Sequence, residues 1–114
     1  MSMREAAAAR TAAMFAALGD ATRLQLLMRL AAGGPESIAQ LSEKSAVTRQ
    51  AVTKHLQVLS DAGFVAGRRR GREHVWQLRP RRLRDAHAHL DRIAREWDGA
   101  LERLRAFVDE GEPT

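Results

Sequence analysis

The fold is decided by residues 37–72, which read SIAQLSEKSAVTRQAVTKHLQVLSDAGFVAGRRRGR. Ser37 and Gln40 have the spacing of a capping box, in which the serine hydroxyl accepts a backbone N–H bond and the glutamine reaches back. A short helix over residues 38–44 is therefore predicted, with Ile38 and Leu41 turned inward.

A second helix follows after a turn of about four residues. Thr48 can cap this helix, which is predicted to cover residues 49–62. Val52, Leu56 and Leu59 recur at helical spacing, so they should face inward. Two helices joined by so short a turn must cross steeply, which is the geometry of a helix-turn-helix. The free face of the second helix can then enter a major groove of DNA.

That free face carries the side chains that DNA recognition requires. Arginine can bind guanine and glutamine can bind adenine through paired hydrogen bonds, while threonine and lysine reach bases or phosphates. His55 is expected to contact phosphate or to pack against a neighbour rather than to recognise a base. Polar side chains also cover helices that bind nothing, so the face alone does not decide the function. The predicted DNA contacts of this helix are Thr48, Arg49, Gln50, Thr53, Lys54, His55 and Gln57.

A basic β-hairpin is predicted after the second helix. Gly63 can take the left-handed conformation that ends a helix, and Phe64 can fold back onto Leu59 as in a Schellman motif. A strand should begin at Phe64, turn near Gly71 and return over residues 74–78. Arginines crowded around a turn repel one another unless an anion is near, and a phosphate backbone supplies that anion. The hairpin is therefore interpreted as a wing that contacts DNA through Arg68, Arg69, Arg70 and Arg72.

Two further helices are predicted before this unit. The first begins in the capping sequence of residues 2–5 and ends at Gly19, and Asp20 can cap the second, which stops at residues 33–35. The apolar side of the first helix should consist of Met14, Phe15 and Leu18. The apolar side of the second should consist of Leu24, Leu27 and Met28, with Leu26 and Leu30 beside them.

A long last helix is predicted from about Arg81 to Val108, with Pro80 at its start. Two rows of apolar residues repeat along it every seven residues, which is typical of a coiled-coil seam and predicts a homodimer. The rows are Leu83, Leu90, Trp97 and Leu104, and Ala86, Ile93, Ala100 and Phe107. The predicted fold class is therefore mainly α with a small β-hairpin (α+β): one domain over residues 1–114, with five helices and a two-stranded wing.

Composition and charge favour a nucleic-acid partner. The formal net charge is +5, and the excess of arginine and lysine lies between residues 49 and 82, as expected of a protein that binds a polyanion. Because the chain contains no cysteine, it cannot form a disulfide, a thiolate metal site or a thiol redox switch. No segment reaches membrane-spanning length and no signal-peptide pattern is present, so a cytoplasmic protein is expected. No phosphate-binding glycine loop or nucleophile elbow is recognisable, so an enzyme is not expected.

The chain resembles the ArsR-type family of bacterial winged-helix repressors over about residues 13–108. The resemblance is carried by residues 17–24 (ALGDATRL), 48–56 (TRQAVTKHL) and 59–65 (LSDAGFV), followed by the basic turn. One departure is Ala46, where relatives often carry glycine in the turn. A helical or bridge conformation would suit alanine, so only a small geometric change is expected there.

The resemblance implies a homodimer clamped by the first and last helices, a twofold-symmetric operator, and repression that an effector relieves. Residues 1–19 and 80–108 are therefore assigned to dimerisation, residues 20–79 to DNA binding with the wing, and residues 109–114 to a frayed tail. The predicted dimer contacts are Phe15, Leu83, Leu90, Ile93, Trp97 and Leu104.

The resemblance also suggests a search for metal ligands on the last helix. Asp85 and His87 match the first half of the family's Asp-x-His and His-x-x-Glu site, but the second half would fall on Asp98 and Leu101, and leucine cannot bind metal. His87 with Asp91 has the i, i+4 spacing that can bind zinc, as do Asp85 and His89. Polar residues beside a dimer seam are the favoured interpretation, so no metal or cofactor is expected and His87 and Asp91 are weak candidates.

Two other functions compete with DNA-dependent regulation by an unknown effector. The domain could bind protein or RNA without being an enzyme, or it could be a zinc-responsive sensor that uses the last helix. The wing arginines argue against a purely protein partner, and the deep, narrow major groove of A-form RNA admits a recognition helix poorly. Trp76 and Trp97 could line a ligand pocket, although core and dimer packing are favoured. Met14 and Met28 are interpreted as core residues rather than ligands.

Overall fold

A computed structural model describes residues 1–111, and within them the chain forms five helices and one three-stranded antiparallel sheet. This confirms the predicted fold class. The contacts divide the chain into two compact units, Met1–Leu83 and a second that begins at Arg84, and the prediction of a single domain stays a prediction. The elements are α1 (Met3–Leu18), α2 (Ala21–Gly33), β1 (Glu36–Ser37), α3 (Ile38–Glu43), α4 (Arg49–Asp61), β2 (Val65–Arg70), β3 (Glu73–Leu78) and α5 (Pro80–Gly111).

The first four helices begin at the residues that the sequence predicts as caps, each of which accepts a backbone N–H bond with its side-chain oxygen. At Ser37 the capping box is complete, because Gln40 Oε1 accepts the Ser37 N–H at 2.9 Å while the Ser37 hydroxyl accepts the Gln40 N–H at 3.2 Å. The four caps are Ser2, Asp20, Ser37 and Thr48.

Helix α4 ends in the predicted Schellman motif. The N–H of Phe64 donates to the carbonyl of Leu59 at 2.9 Å, and the N–H of Gly63 donates to that of Ser60 at 3.0 Å. Gly63 has a φ of 86°, which a residue with a Cβ adopts only with strain. Phe64 and Leu59 are both fully buried, so the end of the helix and the start of the sheet share one core.

The sheet contains a strand that the sequence did not predict. Its strand order is β1-β3-β2, and the two residues of β1, Glu36 and Ser37, lie opposite Trp76 and Val75 of β3. Two residues are too few to show the alternation of apolar and polar side chains by which a strand is predicted. In addition, the sequence around Ser37 indicates a helix start, because Ser37 caps α3. The wing is therefore anchored to the helical unit by backbone pairing as well as by side-chain packing.

Val75 and Trp76 point to opposite faces of β3, yet both are buried. The ring of Trp76 lies over β2 at Gly67, its partner in the register, and the His74 ring stacks on it with centroids 4.6 Å apart. A Cβ on Gly67 would lie 2.6 Å from His74 Nε2 and 2.9 Å from the Trp76 ring. The missing side chain at this position therefore makes room for the indole.

Gly67→Ala should lower the free energy of unfolding by about 1–3 kcal/mol, the usual cost of overpacking, because both rings must shift. Urea unfolding monitored by circular dichroism measures the change. Gly33→Ala is the matched control, since a Cβ there meets no atom within 4 Å, and it should leave stability unchanged or slightly raised. An unchanged midpoint for Gly67→Ala would contradict this account of the wing.

The buried face of α2 differs from the predicted one. The side chains turned to the core are Leu26, Leu27 and Leu30, whereas Leu24 is 43% exposed and Met28 is 62% exposed. The interpretation of Met28 as a core residue is therefore wrong, while Met14 is buried as predicted. The predicted and the observed set both satisfy helical spacing, so periodicity alone could not choose between two neighbouring faces of α2.

Helix α5 extends to Gly111, three residues beyond the predicted end at Val108. No glycine or proline interrupts the chain between Ala100 and Gly111, so nothing forces the helix to stop earlier. The frayed tail predicted for residues 109–114 is thus helical up to residue 111, and residues 112–114 lie outside the described residues. Within the part of the chain that the structure describes, no helix is long and apolar enough to cross a membrane.

Candidate nucleic-acid interface

Three fully buried side chains, Val52, Leu56 and Leu59, determine which face of α4 is turned inward. The opposite face is left to solvent, as the sequence predicts. The exposed residues of this face, together with the residue that caps the helix, are Thr48, Arg49, Gln50, Thr53, Lys54 and Gln57.

These exposed residues differ in how free their polar groups are. The Thr53 hydroxyl donates to the Arg49 carbonyl at 2.9 Å, and Gln57 Nε2 donates to Asp61 Oδ1 at 2.9 Å. In residues 1–111 the side chains of Arg49, Gln50 and Lys54 form no hydrogen bond or ion pair. Those three side chains can therefore bind a ligand without first giving up a partner within the chain, and they lie in the first two turns of α4.

His55 lies beside the exposed face rather than on it. Its side chain is 23% exposed, and its Nδ1 lies 3.3 Å from the Arg23 guanidinium and 3.8 Å from Asp20 Oδ1. Both partners belong to the junction of α1 and α2. Of the two roles considered for His55, this geometry favours packing against a neighbour, and its predicted place among the DNA contacts stays untested.

The turn before α4 accommodates alanine without strain. Among the described residues only glycines have positive φ values, so Ala46 adopts an ordinary backbone conformation. The Ser45 hydroxyl accepts the Val47 N–H at 3.3 Å across it. Alanine at this position therefore leaves the helix-turn-helix intact, as expected.

The wing carries its positive charge on both faces and at its tip. Arg70 lies opposite Glu73, so Gly71 and Arg72 form a two-residue turn in which Gly71 has a φ of 65°. A positive φ at the first turn residue is the requirement of the II′ turn that suits a twisted hairpin. Arg69 lies on the same face of the hairpin as its cross-strand partner His74, and the side chains on either side of it point to the opposite face. The four predicted wing contacts, Arg68, Arg69, Arg70 and Arg72, are all exposed.

One residue that supports the helix-turn-helix was missed by the sequence interpretation. Arg29 of α2 forms a two-point ion pair with Glu36, in which Nε lies 2.8 Å from Oε2 and an Nη donates to Oε1 at 2.8 Å. The same guanidinium donates to the Gln40 carbonyl at 2.9 Å. It thus ties α2 to β1 and α3. A single charged residue inside the leucine-rich stretch of α2 was the available signal.

Among the described residues, no group of three or more histidine, cysteine, aspartate or glutamate side chains could hold a metal ion. Of the weak candidates, His87 is exposed, and the Asp91 carboxylate accepts a bond from Arg95 at 3.1 Å one turn later. A metal that used Asp91 would compete with this ion pair.

The predicted dimer contacts, which lie on α1 and α5, fall into two states of burial. Leu83 is half-buried, as is Phe15 of α1. By contrast, Leu90, Trp97 and Leu104 are 55%, 65% and 58% exposed, and Ile93 is also exposed. In a single chain, most of this row therefore lies in water.

Known proteins are similar to this chain in sequence and in fold. A family model described as a helix-turn-helix domain matches residues 18–68. The HTH-type transcriptional regulator Rv2034 of Mycobacterium tuberculosis is 38% identical over 99 residues, which cover 86% of this chain and 89% of the relative.

Two solved structures share the fold of most of this chain. An ArsR-like transcriptional regulator from Rhodococcus sp. RHA1 superimposes with a TM-score of 0.77 at 34% identity, covering 96% of this chain and 99% of that one. The homodimeric winged helix-turn-helix DNA-binding domain of Mb0332 from Mycobacterium bovis has a TM-score of 0.66 at 26% identity, covering 84% and 89% of the two chains.

Proposed function

From the premise that this chain belongs to the ArsR-type family of winged helix-turn-helix transcriptional regulators, and is thus a DNA-binding regulator, we propose that it is a homodimeric repressor of a twofold-symmetric operator. The observation that carries the proposal is the exposed polar face of α4, on which Arg49, Gln50 and Lys54 have no partner among the described residues, together with four exposed wing arginines. Its site of action is the cytoplasm, as expected of a protein whose partner is DNA.

The binding mode assigns different tasks to helix and wing. Helix α4 lies in the major groove, where Arg49 and Gln50 at its N-terminal end reach base edges. The wing lies against phosphates or the adjacent minor groove, because its guanidinium groups surround a narrow tip and form no ion pair among the described residues. Helix contacts therefore determine which sequence is bound, and wing contacts determine how tightly any DNA is held.

Dimerisation follows from the exposed apolar row of α5. Each such side chain contributes roughly 1.5–3 kcal/mol when it is fully buried, so several of them in water are a strong driving force for association. A second copy of the same helix supplies a complementary heptad row. Residues 1–19 and 80–108 then serve dimerisation and residues 20–79 serve DNA binding, as the family resemblance implies.

The proposal is tested by selecting genomic fragments that the full-length protein retains and measuring their binding by gel shift. We expect a shared inverted repeat among the retained fragments, and binding that random duplex competes weakly and RNA competes hardly at all. Retention of fragments with no common motif, or displacement by equimolar RNA, would contradict a sequence-specific operator and favour the general binding module instead.

The chemistry of the effector is restricted by the absence of cysteine. Arsenite and thiol oxidants act on thiolates, so neither should release the protein from its operator. Zinc should also fail at stoichiometric concentration, because His87 and Asp91 supply only two ligands and no group of three or more possible ligands occurs among the described residues. Fluorescence anisotropy of labelled operator measures release. Release by one equivalent of zinc that disappears in the His87→Ala, Asp91→Ala variant would establish the zinc-sensor alternative.

A further inference from the structure

A polar cluster joins the end of α1 to the middle of the recognition helix α4. Arg23, in the first turn of α2, donates through Nε to the Ala17 carbonyl at 2.7 Å and through an Nη to the Ala16 carbonyl at 3.3 Å. Its other Nη lies 3.3 Å from Nδ1 of His55 on α4. One guanidinium therefore bridges two carbonyls at the C-terminus of α1 and a side chain in the recognition helix.

The chemistry of these groups fixes the direction of the bond to His55. A guanidinium can only donate, so in a hydrogen bond between the two groups Nδ1 of His55 is the acceptor. Asp20 completes the cluster. Its carboxylate accepts the backbone N–H of Arg23 at 3.0 Å, and this bond, together with the positive charge of the Arg23 guanidinium, lowers the pKa of Asp20. The bond fixes the backbone of Arg23 at the start of α2.

We propose that Arg23 and His55 are positioning residues for operator recognition, which set the rotation of α4 about its axis by tying it to the end of α1. This inference rests on the proposed function. The buried row of Val52, Leu56 and Leu59 determines which face of α4 is inward, but apolar contacts are not directional. The bond at His55, next to Lys54 on the exposed face, adds a directional restraint at the edge of that row.

A fixed rotation of α4 is more important for hydrogen bonds to base edges than for contacts with phosphates. A paired hydrogen bond to a base edge needs its donor and acceptor aligned, so a small roll of α4 moves Gln50 and Arg49 out of register. Flexible side chains that neutralise phosphates tolerate the same roll. Loss of the Arg23–His55 bond should therefore reduce operator affinity selectively, whereas general loss of structure would reduce binding to all DNA.

The test compares His55→Leu with His55→Asn, whose Oδ1 can replace Nδ1 as the acceptor. Affinities are measured for operator and for scrambled duplex, with folding checked by circular dichroism. His55→Leu should bind the operator about tenfold more weakly, the effect of one hydrogen bond to a charged group, with scrambled duplex changed less than about twofold. His55→Asn should recover most of the operator affinity. Equal losses on both duplexes, no loss, or no recovery by asparagine would each overturn the proposal.

A second variant keeps the test independent of His55 stability. In Arg23→Lys the point charge of an ammonium can reach the α1 carbonyls but lacks the fork that also reaches Nδ1. It should show the same selective loss as His55→Leu, and the double variant should lose no more than either single one. Additive losses would overturn the proposal. Failure of the wild-type protein to prefer any operator would instead refute the proposed function.

Discussion

Replacing Trp97 by aspartate is expected to convert the protein to a monomer and to lower operator affinity by about a hundredfold or more. Trp97 is 65% exposed in the single chain and lies in the middle of the heptad row of α5. A carboxylate there must be desolvated in the seam without a partner, which costs several kcal/mol. A monomer then contacts one half-site and loses the gain of about 10²–10⁴ in affinity that linked sites provide.

Analytical ultracentrifugation at micromolar concentration measures the first effect, and gel shift on the operator measures the second. Arg92→Asp is the matched control: it places the same side chain on an exposed position of α5 outside both heptad rows, and it should remain dimeric. A Trp97→Asp protein that sediments as a dimer, or a wild type that is a folded monomer, would exclude the α5 seam as the interface.

Local signals in the sequence predicted most of the elements. Ser37 with Gln40 forms a capping box, and Gly63 with Phe64 forms a Schellman motif. The hydrogen bonds of both motifs join residues that are close in sequence, so the helix ends that they define depend little on the rest of the fold. The exposed face of α4 was predicted for a similar reason, because one row of Val52 and leucines can be buried in only one orientation.

What escaped prediction depends on residues far apart in the chain. Strand β1 exists because β3 lies beside it, and the buried face of α2 is chosen by packing against other elements rather than by its own period. Arg29 and Arg23 are ordinary surface residues by composition, and only the folded chain brings them to Glu36 and His55. The contacts that support α4 could therefore not be predicted from the sequence, whereas its exposed polar face could.

Substitutions in the recognition helix and in the wing should change DNA affinity in different ways. This difference is the second large effect expected. Gln50→Ala removes a candidate paired contact to a base, which contributes roughly 1–3 kcal/mol of discrimination. Operator affinity should fall by about 5- to 150-fold, while affinity for a scrambled duplex stays nearly constant because no charge is lost. Gln50 is exposed and has no partner among residues 1–111, so its removal should not disturb α4.

Replacing the wing arginines by alanine should instead weaken both duplexes by similar factors. Each phosphate contact releases about 0.9 counterion, so Arg70→Ala should lower the slope of log affinity against log salt by about one unit, and the variant lacking Arg68, Arg69, Arg70 and Arg72 by up to about four. Affinity is measured between 50 and 200 mM salt on both duplexes, conditions in which about 10³–10⁵ in affinity can depend on such contacts. If Gln50→Ala weakens both duplexes equally, or Arg70→Ala changes neither affinity nor slope, then base recognition does not belong to α4 and phosphate binding does not belong to the wing.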